Sequence, residues 1–295
     1  MNYRIISDSD CDLDPAVAEQ KNITVVPFYV SFDETTYQKE REEIGVREFY
    51  ERMVKEPGVF PKSSMPSTQD YIDVFTPAVE AGEAVICMCI TVKFSGSYQS
   101  AMTAKEMVLE QYPDAKITVM DTTMDTVLQG LFVLEAVKLR DQGVPYEEAV
   151  ARLEAIKETG RIFFTVGSVD YLQHGGRIGK VASAAVSVLG IKPLITLKEG
   201  EIFSSGIARG RKKSIDKVIV LLKEYLRERN ATPDTYEIVV GYGYDIEEGE
   251  ALRQRAMKEL QDEFGAYQID KYQIGATIGV HTGPYPLGFG VLKRA

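Results

Sequence analysis

Residues Ala84–Ile90 read AVICMCI, apolar at every position. Successive strand side chains point to opposite faces, so this strand must be covered on both, as interior strands of parallel sheets are. Lys116–Asp121 reads as a second strand of the same kind. Helical patterns at Ser97–Gln111, Thr126–Gln142 and Tyr146–Thr159 lie around and after the two. Right-handed strand–helix–strand alternation predicts an α/β fold, a doubly wound parallel sheet with helices on both faces. The segment Thr126–Arg140 is apolar around much of its circumference and is expected to pack on that sheet.

Flanking segments fit the same frame. Tyr3–Ser7 is a short strand followed by the Asp8–Asp14 turn cluster, and Pro15 opens a short helix. Ile23–Phe32 is rich in β-branched and aromatic residues, with Pro27 marking a bend or an edge. A brief amphipathic helix is predicted at Val46–Val54. Three prolines and a run of hydroxyls make Glu56–Thr68 a loop, and Ser67 with Asp70 starts the next helix as a capping box.

Beyond Gly160 the character changes. Arg161–Val166 is a strand, Val181–Leu189 a small-residue helix, and Lys192–Leu197 with Glu201–Ala208 a hairpin around Glu199-Gly200. An amphipathic helix at Ser214–Arg229, a strand at Tyr236–Tyr242 and a charged helix at Glu247–Phe264 follow. Tyr267–Ile274 and Thr277–His281 are read as strands. These mixed elements predict a smaller α+β domain, giving units of 1–160 and 161–295 that pack tightly.

A chain of 295 residues with 44% hydrophobic and 26% charged residues has the composition of a globular protein. A net charge of -10 argues against nucleic acid, whose phosphates require a basic face. No leader pattern and no bilayer-length apolar run is visible, and three cysteines suit a reducing compartment, so a cytoplasmic location is expected. Two histidines without a CxxC or HExxH pattern predict no metal site.

The chemistry concentrates in four stretches. ITVKFSGSYQSA carries a strand directly into hydroxyls, a glycine and a helix start, the ordinary setting for an anion. Gly96 lets backbone approach a ligand, and Ser95 and Ser97 can donate, although Ser97 can equally be a plain helix cap. Lys62-Ser63-Ser64-Met65-Pro66-Ser67 is a second hydroxyl cluster near a helix start. HGGRIG, His174–Gly179, sets an arginine between flexible glycines, and Arg209–Lys213 is the densest basic run. His281 ends the Thr277–His281 segment. FSGSY lacks the G-x-S-x-G elbow of a nucleophilic serine, and no P-loop or dinucleotide fingerprint is present. A serine hydrolase or thioesterase using Ser95 with His281, and a protein carrying out phosphoryl transfer itself, remain open readings of these residues.

The ordered blocks IISDSDCDLD, PKSSMPST, ITVKFSGSYQSA, VDYLQHGGRIG, IKPLITLKEGEI, ARGRKKS and IGVHTGP together resemble the DegV family of bacterial fatty-acid-binding proteins. The resemblance implies an α/β domain and a smaller α+β domain with one long-chain fatty acid, such as palmitate, stearate or oleate, buried between them. It implies a lipid carrier, not an enzyme, without any other cofactor. Members called FakB present the acid to a separate ATP-dependent kinase, FakA, which makes the acyl phosphate for phospholipid synthesis; transient membrane contact for lipid exchange goes with that role. The carboxylate is then held by Ser63, Ser95 and His281, with Ser64, Gly96 and Ser97 as neighbouring helix-start contacts. Arg177 and Arg209 face the phosphate and the kinase. The chain departs from the family's usual threonine at Ser63, glutamine at Met65, serine pair at Thr91-Val92 and lysine at His174. Serine for threonine keeps the hydroxyl.

Overall fold

The computed structural model describes residues 2–181 and 190–295. The helix expected at Val181–Leu189 lies, but for its first residue, outside the described residues. The amino-terminal half runs β1 (Tyr3–Asp8), α1 (Pro15–Gln20), β2 (Ile23–Val26), β3 (Tyr29–Ser31), β4 (Gln38–Lys39), α2 (Val46–Lys55) and β5 (Lys62–Ser64). It continues through α3 (Thr68–Glu80), β6 (Ala84–Cys89), α4 (Ser97–Gln111), β7 (Ile117–Asp121), α5 (Thr126–Asp141) and α6 (Tyr146–Lys157). Then follow β8 (Arg161–Thr165), α7 (Asp170–His174), β9 (Ile191–Lys198), β10 (Glu201–Arg209) and α8 (Arg211–Glu228). The chain closes with β11 (Tyr236–Tyr242), α9 (Ile246–Phe264), β12 (Asp270–Gln273), α10 (Ala276–Thr282) and β13 (Leu287–Lys293).

The parallel sheet has the order β2-β1-β6-β7, with Ile5 paired to both Ile23 and Ile86. All six residues of β6 are buried, as its unbroken apolar run requires. One of its faces, Val85, Cys87 and Cys89, packs with Tyr71 and Phe75 of α3 and with Ala101 and Ala104 of α4. The other, Ile86 and Met88, joins the cluster built on α5 and α6. Helices therefore cover both faces.

A second sheet, ordered β10-β9-β8-β13-β11-β12, is mixed; among the described residues β11 and β12 pair in parallel and its other neighbouring strands antiparallel. The β9–β10 turn places Glu199 and Gly200 both at positive φ, the conformation a two-residue hairpin with matching twist demands. Helix α5 touches both sheets: Val127, Leu128 and Phe132 share one cluster with Ile5 of β1 and with Ile162 and Val239 of the second sheet. That explains its apolar circumference more fully than packing on one sheet does, since neither face meets water.

Three local expectations are corrected. Ile23–Phe32 is not one bent strand; Pro27 ends β2, and β3 enters a separate three-stranded sheet ordered β4-β3-β5. Ser63, expected in a loop at a helix start, lies in β5, paired to Val30. Thr277–His281 is helix, not strand. Extended Gly275 precedes α10, Glu40 accepts from Ala276 N–H and the Thr277 hydroxyl, and Gly283 at φ 76 ends it. Burial of Ala276, Ile278 and Val280 overrides the weak helix preference of its β-branched residues.

Candidate functional site

The aspartates that open the expected turn cluster form a buried floor. Asp8, Asp10 and Asp12 are at most 2% exposed. Asp8 sits at the carboxyl end of β1, where α/β sheets open their crevice. Its oxygens accept from Ile90 N–H (3.0 Å), the Ser97 hydroxyl (2.6 Å) and the Gln129 side-chain amide (2.7 Å). One carboxyl thus ties β6, α4 and α5 together. Burial pushes it up to about 6 against the pull of those donors. Burial likewise pushes Asp12 to about 7, although Arg41 pulls the other way.

Ser97, placed among the anion contacts by sequence, belongs to that floor. It is fully buried, and its hydroxyl also meets Tyr71 Oη at 2.6 Å. Nor does it cap α4: the cap position is Gly96, and Ser95 Oγ accepts the Ser97 N–H at 3.1 Å. Two residues apart, Ser95 and Ser97 face different surroundings.

Above the floor lies a cavity of about 130 Å³. Ser63, Ser95, Gly96, Arg177 and His281 line it together with apolar residues that include Phe28, Ile90 and Phe94. Four segments far apart in sequence supply the polar group: β5, the β6–α4 turn, the glycine-flanked turn after α7, and α10. Ser63 Oγ lies 3.1 Å from His281 Nε2. The other imidazole nitrogen, Nδ1, is buried without a partner, and the ring abuts Gly175 so closely that a Cβ there would sit 2.1 Å from it. Burial, with Arg177 and Lys62 adding positive charge nearby, pushes His281 down to about 4, so the ring is neutral near pH 7. Arg177 is exposed and donates to the Phe94 carbonyl (3.1 and 3.0 Å) and to the Gly175 carbonyl (2.8 Å). These bonds draw the guanidinium over the Ser95 turn.

The remaining expected residues lie elsewhere. Ser64 follows Ser63 in β5 and, by strand alternation, points away from it; it is exposed and does not line the cavity. Arg209 is exposed at the end of β10 and is also outside the lining. At Gly96 a side chain would meet Met65 Sδ at 2.7 Å, so its lack of one admits Met65, not only a ligand. His174 stacks on Phe60 with ring centroids 3.7 Å apart.

A smaller cavity of about 30 Å³ adjoins the first, sharing Asp125, Phe164, Ile278 and Thr282 and continuing to Val127, Ile162 and Phe289. It runs between α5 and the second sheet. Sequence reasoning missed three polar residues of the first cavity, Thr277, Thr282 and Asp125, of which Asp125 is the charged type. The only visible signal of Asp125 was an acidic residue just before the apolar α5, which reads as an ordinary cap. Among the described residues there is no grouping of side chains fit to hold a metal, and no helix is long and apolar enough to cross a membrane.

The model of the DegV family matches residues 2–294. The chain belongs to the DegV family. A stearic acid-binding protein from Eubacterium ventriosum superposes with a TM-score of 0.90 at 45% identity, covering 99% of this chain and 98% of that one. A DegV protein of Thermus thermophilus, described for its fatty acid binding, gives 0.87 at 30% identity over 99% and 100% of the two chains. A DegV domain-containing protein of Clostridium perfringens is 30% identical over 95% of this chain and 94% of its own length. The family resemblance of the ordered sequence blocks and the fold therefore agree.

Proposed function

We propose that this chain binds one long-chain fatty acid, with its carboxylate among Ser63, Ser95 and His281 and its acyl chain in the two joined cavities. The observation that carries this reading is the convergence of those three side chains on one cavity whose remaining lining is mostly apolar. Each methylene withdrawn from water contributes roughly 0.8 kcal/mol, so an acyl ligand is held mainly by enclosure. Its charged end then needs several donors to offset desolvation. Two hydroxyls and a neutral imidazole supply them without a buried countercharge. The stearic acid-binding and fatty-acid-binding relatives support the same class of ligand.

In this reading the chain is a carrier located in the cytoplasm, and its cavity lies between a 1–160 unit and a 161–295 unit. It presents the carboxylate to a FakA-like ATP-dependent kinase, whose reaction joins a carboxylate oxygen to the γ-phosphorus and releases ADP. Arg177 at the cavity mouth suits the added phosphate charge, and exposed Arg209 suits contact with the kinase. Met65, which lines the cavity yet is 45% exposed, gives an apolar lip for transient membrane exchange.

The Ser63–His281 approach is also what a hydrolase requires. However, the sequence-based pair was Ser95 with His281, whereas His281 meets Ser63. The nitrogen that an orienting acid should hold has no partner, and an imidazole near 4 is a weak base at neutral pH. Both points favour the carrier.

Native and denaturing mass spectrometry of protein purified from a bacterial host tests the proposal. One fatty acid per chain, released on denaturation, is expected. An empty protein whose melting temperature no fatty acid shifts overturns it. Ester turnover abolished by Ser63→Ala would instead establish the hydrolase.

A further inference from the structure

Asp125 stands where the two cavities meet. It lines both, along with Phe164, Ile278 and Thr282, while Ser63, Ser95 and His281 line only the first. The carboxyl is therefore deeper than the head-group end, alongside the path of the chain. It occupies the cap position of α5 but makes no side-chain bond to the helix start, the usual use of an aspartate there. Asp125 is 8% exposed, and its Oδ1 is buried without a hydrogen-bond partner. The next residue explains the orientation. Thr126 has φ 45, uncommon for a β-branched residue, and is held there by its N–H on Asp10 (3.1 Å) and its hydroxyl on Asp12 (2.6 Å). The Thr126 N–H at the helix start is thereby satisfied without Asp125, and the other unpartnered atoms of the floor, Asp10 Oδ1 and Gln129 Oε1, belong to residues that do not line either cavity.

A buried polar atom without a partner is costly, and plain hydrocarbon passing it leaves that cost in place. Burial, with no cation beside it, pushes the Asp125 carboxyl up to about 7. The protonated form offers one donor and retains acceptor capacity, the set that an alcohol complements on both sides. Resting on the fatty-acid reading above, we infer that Asp125 selects an acyl chain bearing a hydroxyl group part-way along its length. Thr282 gives its hydroxyl proton to the Ile278 carbonyl at 2.9 Å, so toward a ligand hydroxyl it can only accept, whereas a protonated Asp125 can both donate and accept.

The test uses the full chain stripped of copurified lipid and compares stearic acid with a series of mid-chain hydroxystearic acids. Affinities are read by displacement of a fluorescent fatty acid. Wild type should bind one positional isomer about tenfold more tightly than stearic acid, as one additional buried hydrogen bond allows. Asp125→Leu should reverse the order, and Asp125→Asn, close in shape, should keep part of the preference. Melting curves check that both variants fold; if Asp125→Leu does not, the wild-type preference and Asp125→Asn decide. Equal binding of stearic acid and every isomer by wild type, or a preference unchanged in the variants, overturns the role of Asp125 while leaving the fatty-acid reading intact. Failure of every acid to bind wild type overturns both.

Discussion

Two serines in this fold each face a titratable partner, in opposite settings. Ser97 bonds Asp8 and Tyr71 in an interior outside the cavity lining, where its hydroxyl has no proton left to donate to a ligand. Ser63 bonds one nitrogen of His281 at the wall of a cavity, and the imidazole's second nitrogen is unpartnered. Burial drives both partners toward neutrality, raising the carboxyl to about 6 and lowering the imidazole to about 4. The first arrangement has its donors committed and holds separate elements together. The second has spare capacity beside a cavity. The same residue type is scaffold in one place and candidate receiver in the other, and the number of unused hydrogen-bonding positions separates them.

The difference breaks first under Ser97→Ala. Removing that hydroxyl takes from Asp8 Oδ2 its shortest donor, leaving it the Ile90 N–H, and leaves the buried Tyr71 hydroxyl only the Cys89 thiol at 3.7 Å; it should cost about 3 kcal/mol of stability. Urea denaturation measures it, and affinity for a fatty acid, measured where the variant is still folded, should stay within about twofold. An affinity loss larger than the stability loss would move Ser97 into the binding site.

Next comes pH. Asp12 and Asp125 lie near 7 and Asp8 near 6 in the folded chain, against an ordinary value of 3.8. Folding therefore takes up protons between about pH 4 and 7, and the stability these groups contribute is lost as pH rises through their folded values. His281 has the opposite sign, because its folded value near 4 lies below the ordinary 6.5 and stability falls as pH drops between those two values. These three carboxyls outweigh one imidazole, and Asp10, pushed up by burial as well, adds to them, so the ligand-free protein should gain roughly 5 kcal/mol or more between about pH 8 and pH 5. His281→Ala should gain more over the same range. Equal gains would show that His281 does not resist protonation.

His281→Ala should also weaken fatty-acid binding by about 30-fold, the loss of one bond to a charged oxygen, with little change in stability at neutral pH. Isothermal titration with stearic acid measures this. Unchanged affinity would confine the histidine to packing on Gly175.

How much of this was legible follows from range. Apolar runs and turn chemistry are local, so β6, α4, α5 and the β9–β10 hairpin were readable within a few residues. Segment Thr277–Thr282 was not, because its β-branched residues favour a strand and its helix depends on Glu40, some 236 residues away from Ala276. The Asp8–Asp12 run looks like a solvated turn for the same reason; its partners Ile90, Ser97, Thr126 and Gln129 come from other elements. Ser63, Ser95, Arg177 and His281 were legible as ordered blocks of a family resemblance. Neither that resemblance nor periodicity pointed to Asp125, whose importance rests on a bond it does not make.

Ser95 lies between the two settings compared above and should give the smallest effect. Its oxygen accepts the Ser97 N–H at 3.1 Å, which assigns it to the floor, and it lines the cavity, which assigns it to the mouth. Ser95→Ala removes an acceptor from a helix start, at a cost of about 1 kcal/mol, and one hydroxyl donor from the carboxylate. The carboxylate keeps Ser63 and His281, so affinity should fall only about fivefold. Because Ser95 and Ser63 are proposed to share one ligand, combining Ser95→Ala with Ser63→Ala should cost more or less than the sum of the single effects. Combining Ser95→Ala with Ser97→Ala should couple in stability instead, through the N–H that joins them. Strict additivity with Ser63 and strong coupling to Ser97 would return Ser95 to the scaffold, leaving Ser63 and His281 as the carboxylate's own partners.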